Sequence, residues 1–156
     1  MGGYQRRYDN QPRGNPETDE GKEQKSGLII LQKSKDLMQY LYTSWVKYPR
    51  SEKPGFVADY KQCLFQFLIY IITAQKKYFK KTTLQDADVQ LELLRLFNQL
   101  SYDMRFIDEK RYKLISERLC EIRRLLGGWI NSQKETSKTT AKYISGGDRS
   151  LNACRS

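Results

Sequence analysis

The chain has 156 residues with a formal net charge of +10, and it contains 11 tyrosines, three cysteines and no histidine. This length fits one domain. The absence of histidine removes the commonest general base and a frequent metal ligand, which argues against an enzyme or a metalloprotein. The most apolar stretch, Cys63 to Ile72, is too short for a membrane span, which needs about 20 residues.

The positive charge lies mainly on the part of the chain that is expected to fold. Residues 1–27 hold 5 basic and 5 acidic residues, residues 28–133 hold 18 and 11, and residues 134–156 hold 5 and 2. Both ends are polar and aperiodic, which predicts a disordered tail over residues 1–27 and a flexible tail over residues 134–156. No secretory signal precedes residue 28, so the three cysteines indicate reduced thiols and a cytoplasmic location.

The first predicted element is a helix from about Leu28 to Lys47. The residues of its inner face recur every three or four positions, a spacing typical of one buried helix face. They are Ile30, Ser34, Leu37, Leu41, Trp45 and Tyr48. Pro49 and the Pro54-Gly55 pair predict the end of this helix and a rigid loop after it.

The second predicted helix runs from about Phe56 to Lys80 and is apolar on most sides. One stripe comprises Phe56, Tyr60, Cys63, Leu64, Phe67, Ile71, Ala74 and Tyr78. The stripe is widened by Phe65, Leu68, Ile69 and Ile72. Because a helix that is apolar on most sides is buried on most sides, this pattern predicts oligomerisation.

The third and fourth predicted helices run from about Thr83 to Ser101 and from about Asp108 to Ile130. Thr83 is a plausible N-cap, and a wide apolar arc follows it, made of Leu91, Leu93, Leu94, Leu96, Phe97 and Leu100. The fourth helix carries a regular apolar seam of Tyr112, Ile115, Leu119, Ile122, Leu126 and Trp129. Gly127-Gly128 predicts either a frayed end or a close backbone approach. Cys63 and Cys120 fall in apolar segments and are expected to be small core residues.

Four such helices joined by short connections predict an all-α, antiparallel four-helix bundle over residues 28–133. No segment shows the alternation of a strand. The sequence contains no P-loop, Rossmann glycine pattern, paired CxxC or nucleophile with a base, so we predict no catalytic residue, no metal site and no cofactor.

Basic side chains are the remaining functional signal, and phosphate binding to nucleic acid is the function that they favour. The candidate RNA-binding residues are Arg50, Lys76, Lys77, Lys80, Lys81, Arg105, Lys110, Arg111, Lys113, Arg118, Arg123 and Arg124. Each residue alone is equally well explained as ordinary solvated surface. The set favours a function because acidic residues do not balance it.

Five short segments, taken in chain order, resemble the accessory variability determinant family of diversity-generating retroelements. They are Tyr40-Leu-Tyr42, Tyr48-Pro-Arg50, Cys63-Leu64, Leu91-Glu-Leu-Leu-Arg95 and Arg124-Leu-Leu-Gly-Gly-Trp-Ile130. The resemblance covers about residues 28–131, and the closing Leu-Gly-Gly-Trp-Ile is its most specific part. Arg50 and Arg95 are among the matched positions, and Arg95 could serve a structural role.

The resemblance implies a four-helix protomer that assembles into a positively charged pentameric barrel. Its implied partners are the retroelement reverse transcriptase, the template-repeat RNA and its hybrid with cDNA, and further copies of itself, without a membrane. Its implied role is to support adenine-directed, mutagenic cDNA synthesis that diversifies a target gene.

Three alternatives also fit the sequence. A similar family of four-helix proteins is encoded within intervening sequences of large-subunit ribosomal RNA, and it would bind RNA or an acidic protein without a reverse transcriptase. A pure interaction scaffold for an acidic partner also fits the basic surface. An enzyme that uses cysteine or carboxylates in a bundle cavity is the least favoured alternative.

Overall fold

The computed structural model describes the backbone of residues 19–144 and the side chains of residues 21–134. Within this range the chain is all-helical and forms four long helices. They are α1 (Asp19–Trp45), α2 (Ala58–Lys76), α3 (Lys81–Asp103) and α4 (Glu109–Ile144). A 3-10 turn (Arg50–Glu52) and a π-helical turn (Lys53–Val57) connect α1 to α2.

The helices form an antiparallel four-helix bundle in which each helix packs against its neighbours in the chain and α4 closes against α1. The described residues contain no strand. The predicted fold class is confirmed for the protomer. Periodic apolar residues explain it, because each helix has a continuous apolar face that is covered by packing against the other helices.

The core consists of the predicted inner faces. Ile30, Leu37 and Leu41 of α1 are fully buried, as are Phe67 and Ile71 of α2. On α3 and α4 the fully buried residues include Leu84, Leu91, Leu94, Ile115, Leu119 and Leu126. The fourth-helix seam is confirmed, since its members from Ile115 to Trp129 are all buried.

An aromatic cluster fills the end of the bundle where α1 and α3 finish and α2 and α4 begin. The ring of Tyr60 stacks on Phe97 with centroids 5.0 Å apart, and it meets Trp45 edge-on at 5.2 Å. Tyr48 lies 5.3 Å from Phe106. These ring contacts link the α1–α2 connection to the α3–α4 connection, so aromatic packing stabilises this end of the bundle.

The helices at the two chain ends extend beyond the predicted limits at residues 28 and 133. Residues 19–27 belong to α1, and the backbone of residues 134–144 continues α4. Glu23 pairs with Lys80, and Gly27 lies close to Gln75 of α2. These distant contacts stabilise a polar segment that composition alone predicts as a tail. The remaining parts of the two predicted tails, 1–18 and 145–156, lie outside the described residues.

Three predicted details of α3 and α4 are wrong. Thr83 is not the N-cap of α3, because that helix begins at Lys81 and Thr83 is buried. Cys120 is exposed, because it lies one position away from the buried seam. The Gly127-Gly128 pair neither ends α4 nor lies against a neighbour, since a Cβ at either position would have nothing within 4 Å.

Candidate nucleic-acid interface

The predicted basic residues occupy two opposite ends of the bundle and the length of α4. Lys76, Lys77, Lys80 and Lys81 lie where α2 gives way to α3. Arg50, Arg105, Lys110, Arg111 and Lys113 lie at the other end, where α1 and α3 finish and α4 begins. Arg118, Arg123 and Arg124 lie between the two ends on α4. The 19 residues of α2 separate the two ends by about 28 Å, at about 1.5 Å per helical residue.

The lysines between α2 and α3 differ in their exposure and in their contacts. Lys80 is largely buried and pairs with Glu23 at 2.8 Å, with its ammonium 5.9 Å from the centre of the Trp129 ring. Lys77 donates a hydrogen bond to the hydroxyl of Thr83 at 3.4 Å. Lys76 and Lys81 are exposed, and no carboxylate of the described residues lies within ion-pair distance of them. Lys80 is therefore an anchor of the fold, whereas Lys76 and Lys81 can reach a ligand.

At the opposite end, two of the five cations form ion pairs with carboxylates that lie three or four residues before them, at the start of α4. Lys113 contacts Glu109 at 2.6 Å, and Arg111 lies 4.0 Å from Asp108. The hydrogen bond that Lys113 donates to Glu109, and then the negative charge of that carboxylate, raise the pKa of Lys113. Of these five, Arg50, Arg105 and Lys110 have no ion pair with a described residue, and all three are exposed.

Arg105 has an unusual backbone conformation, with φ of 60°. The N–H of Arg105 bonds the carbonyl of Tyr102 at 2.9 Å, and the N–H of Phe106 bonds the carbonyl of Ser101 at 2.8 Å. This pair of bonds is the Schellman motif that closes a helix, and Arg105 occupies the position that glycine usually takes. The chain then enters α4, where the carboxylate of Asp108 accepts a bond from the N–H of Arg111 at 3.0 Å.

The arginines along α4 are mostly engaged with neighbouring helices. Arg118 donates to the carbonyl of Asp36 at 3.2 Å and covers the ring of Tyr40 at 5.0 Å. Arg123 contacts Glu92 at 2.5 Å. Arg124 is exposed and has no ion pair with a described residue. Arg118 and Arg123 therefore connect α4 to α1 and α3, whereas the charge of Arg124 faces solvent.

Arg95, a position matched by the family resemblance, pairs with the same carboxylate as Arg123. Its guanidinium lies 3.1 Å from Glu92. Nearby, Asn98 is buried and donates to the carbonyl of Tyr112 and the hydroxyl of Ser116. These polar contacts fix α3 against α4, so the structure places Arg95 in a helix-to-helix network.

Two open grooves follow the sides of α4. The groove along α1 has a volume of about 550 Å³ and is lined by Lys33, Asp36, Gln39, Tyr40, Thr43, Arg118 and Glu121. The groove along α3 has a volume of about 370 Å³. Ion pairs span both grooves, including Lys33 with Glu121 at 2.9 Å. Their linings are balanced in charge, which distinguishes them from the basic ends.

The two described cysteines differ in their surroundings. Cys63 is buried, as predicted, and its thiol lies 3.3 Å from the side-chain oxygen of Gln90. Burial raises the pKa of Cys63 to about 11, so this thiol stays protonated and unreactive near neutral pH. Cys120 is exposed in the groove between α3 and α4.

Tyr78 and Phe79 lie at the surface, although neither is a candidate site residue from the sequence. Tyr78 was expected in the buried stripe of the second helix. It is 82% exposed and Phe79 is 87% exposed, because α2 ends at Lys76 and Lys77 has an extended backbone. The four lysines around them are the sequence signal for this loop, since such a charge run is rarely buried.

No helix within the described residues is long and apolar enough to cross a membrane. The same part of the chain contains no cluster of carboxylates and cysteines that could hold a metal ion.

The fold and the net charge of +10 define a class of small, basic four-helix proteins. The family model described as bAvd-like matches residues 28–133. The chain belongs to the bAvd-like family, the accessory variability determinant proteins of diversity-generating retroelements. This family is accessory and non-catalytic, and its members are associated with a reverse transcriptase. A comparison with curated proteins finds no match.

Proposed function

We propose that this protein is the accessory subunit of a diversity-generating retroelement, acting in the cytoplasm, and that it binds both the reverse transcriptase and the template-repeat RNA. Its role is to support adenine-directed, mutagenic cDNA synthesis. Membership of the bAvd-like family over residues 28–133 carries this proposal. The net charge of +10 supports the RNA part, since a basic folded surface attracts a polyanion.

The exposed cations at the two ends of the bundle are the best candidates for phosphate contacts. They are Lys76, Lys77, Lys81, Arg50, Arg105 and Lys110. Lys80, Arg118 and Arg123 have partners inside the protein, and breaking those contacts would reduce what they gain from RNA. We therefore assign the main contribution to the two ends.

The charge assignment is tested by titrating the protein against a single-stranded template-repeat RNA across a salt series. The variant K76E/K81E should bind at least about tenfold more weakly, and the slope of log affinity against log salt should fall by about 1.4, at about 0.7 per lost phosphate contact. K35E/R124E is the matched control, because it removes the same charge from two exposed cations that lie along α1 and α4, away from both ends. Equal affinities of the two folded variants would contradict the assignment.

The other end is tested by R50E/K110E under the same conditions. A loss of affinity in both end variants would mean that RNA contacts both ends. A loss in only one would identify the RNA-binding end and leave the other for a protein partner. Wild-type protein that binds no RNA, with or without reverse transcriptase, would overturn the RNA part of the proposal.

We also propose that the protomers assemble into a pentameric ring, which would multiply the phosphate contacts of one chain. Exposed apolar side chains on α2 and α3 support assembly, among them Phe65, Ile69, Ile72, Val89, Leu93, Leu96 and Leu100. Light scattering should give a mass about five times the 18.4 kDa of one chain. Leu96→Glu, at a position 52% exposed, should reduce that mass without unfolding the protomer. A monomer mass for the wild type would exclude the ring.

The retroelement context is tested by copurification with the reverse transcriptase encoded beside this gene. A neighbouring reverse-transcriptase gene and a pair of near-identical repeats are expected. Their absence would favour the alternative, a scaffold of the type encoded within ribosomal RNA intervening sequences.

A further inference from the structure

The link between α2 and α3 presents two aromatic rings to solvent. Tyr78 and Phe79 are the most exposed large hydrophobic side chains among the described residues, at 82% and 87%. Their ring centroids lie 4.9 Å apart with an interplanar angle of 89°. The rings contact each other and are not part of the hydrophobic core. Two neighbouring aromatic rings without cover are available to stack on a ligand.

The base of this loop is fixed, although its tip is exposed. Lys80 is held by Glu23 and lies over Trp129. The N–H of Lys77 bonds the carbonyl of Thr73 at 3.0 Å, and the N–H of Leu84 bonds the carbonyl of Lys80 at 2.9 Å. These contacts tie the loop to α1, to α4 and to its own flanking helices. The aromatic pair is therefore displayed from a rigid base, which reduces the entropy lost on binding.

Positive charge flanks the aromatic pair on both sides. Lys76 and Lys81 are exposed, and neither forms an ion pair with a described residue. The first turn of α3 contains no acidic residue and has no side-chain cap. A ligand at this loop would meet exposed aromatic faces and, beside them, cations. A phosphate backbone that carries unpaired bases has that combination of chemistry.

Resting on the proposed RNA-binding function, we propose that Tyr78 and Phe79 stack on unpaired bases of single-stranded RNA while Lys76 and Lys81 contact its phosphates. Base pairing would hide the base faces inside a duplex, so this loop selects unpaired over paired segments. The aromatic pair thus adds a preference for unpaired RNA that the lysines alone cannot supply, since single-stranded and double-stranded RNA both carry phosphates.

The test compares Y78A/F79A with wild-type protein in binding a single-stranded RNA and a fully paired RNA duplex of equal length. We expect Y78A/F79A to bind the single strand about tenfold or more weakly, given the usual size of base stacking on an aromatic side chain. Duplex affinity and the salt slope should not change. A 2-aminopurine base in the single strand should lose fluorescence on binding wild-type protein and not on binding the variant.

Two further variants distinguish base stacking from apolar contact and from phosphate binding. Y78L/F79L keeps apolar side chains without aromatic faces, and it should bind as weakly as Y78A/F79A. K76Q/K81Q should weaken binding of the single strand and of the duplex alike and reduce the salt slope. Because all four side chains are exposed, each variant should keep the circular dichroism spectrum and melting temperature of the wild type.

Several outcomes would overturn the stacking proposal. Wild-type RNA binding that is unchanged in Y78A/F79A would refute it and leave the proposed function intact. Full affinity in Y78L/F79L would also refute it. An unchanged RNA affinity with lost sedimentation on phosphatidylserine vesicles would identify the loop as a membrane contact. Wild-type protein that binds no RNA would reject the RNA part of the proposed function and this inference together.

Discussion

Individual buried residues of this bundle carry polar atoms that have no partner in the described structure. Trp45, Tyr60 and Trp129 each bury a donor in this way, and Asn98 buries its side-chain oxygen. An unpaired buried polar group costs stability, so a substitution that removes only that group, without leaving a cavity, can stabilise the protein. Tyr60 is the clearest case because it lies within the aromatic cluster.

Tyr60→Phe should flatten the loss of stability at alkaline pH. Burial raises the pKa of Tyr60 well above its ordinary value. The folded protein therefore keeps a proton that the unfolded chain loses above about pH 10, so stability falls as pH rises past that value. The pKa of Cys63 is also raised, to about 11. Its contribution to the loss of stability therefore begins earlier, at about pH 9.

The measurement is the free energy of unfolding in urea as a function of pH. At neutral pH the Tyr60→Phe variant should be as stable as the wild type or up to about 1 kcal/mol more stable, because it deletes an unpaired hydroxyl. Tyr42→Phe, at a side chain 42% exposed, is the control and should keep the wild-type slope. Identical slopes for Tyr60→Phe and the wild type would show that Tyr60 does not titrate as argued.

Arg105→Gly should stabilise the fold and weaken RNA binding at once. Glycine removes the cost of the left-handed φ, which is about 1 kcal/mol for a residue with a side chain. Part of that gain is offset because glycine adds entropy to the unfolded chain. Arg105→Ala is the matched control, since it removes the same charge and keeps the unfavourable φ. Chemical unfolding should rank glycine above alanine, and the reverse order would contradict the assigned strain.

The helices show which features can be predicted from sequence. Apolar periodicity predicted four helices and their inner faces, since burial of a continuous stripe is a property of each helix alone. The ends depend on distant contacts. Residues 19–27 are helical where Glu23 meets Lys80 and Gly27 meets Gln75, and no local pattern encodes those pairs.

The basic site was predictable only in part for the same reason. The sequence identifies Lys76, Lys80 and Arg123 as cations, but the partners of Lys80 and Arg123 lie on other helices. Only the structure separates Lys80 and Arg123, which have carboxylate partners, from Lys76, which has none among the described residues. It also moves Tyr78 from an expected helix face to the tip of a loop.

Replacing Gly127 and Gly128 by alanine should stabilise the protomer. Both lie inside α4, and an added Cβ would have nothing within 4 Å. Each change should raise the free energy of unfolding by up to about 1 kcal/mol through helix propensity. Thermal unfolding of a dilute sample measures this effect, and a destabilised double variant would contradict it. Light scattering of the same variant measures its oligomeric mass, and a lower mass than that of the wild type would show that another protomer packs against these glycines.

On the scale of the described bundle, most exposed cations without an ion pair lie at the two ends, and the grooves along α4 are balanced in charge. The groove between α1 and α4 is spanned by Lys33 and Glu121, and the groove between α3 and α4 by Arg123 and Glu92. Charged pairs of this exposed kind contribute little stability individually. Because each pair has no net charge, the sides attract a polyanion less than the two ends do, which agrees with the phosphate contacts proposed there.

The proposed RNA contacts at both charged ends define a length of strand that can reach both. A stacked strand that reaches from Lys81 to Lys110 must cover about 28 Å, which takes about eight nucleotides at about 3.4 Å each. Affinity for single-stranded oligonucleotides should therefore increase sharply once they exceed about eight nucleotides. Fluorescence anisotropy over a length series measures this, and K76E/K81E should abolish the step. A smooth increase of affinity with length would show that each end binds RNA independently and that one strand does not contact both ends.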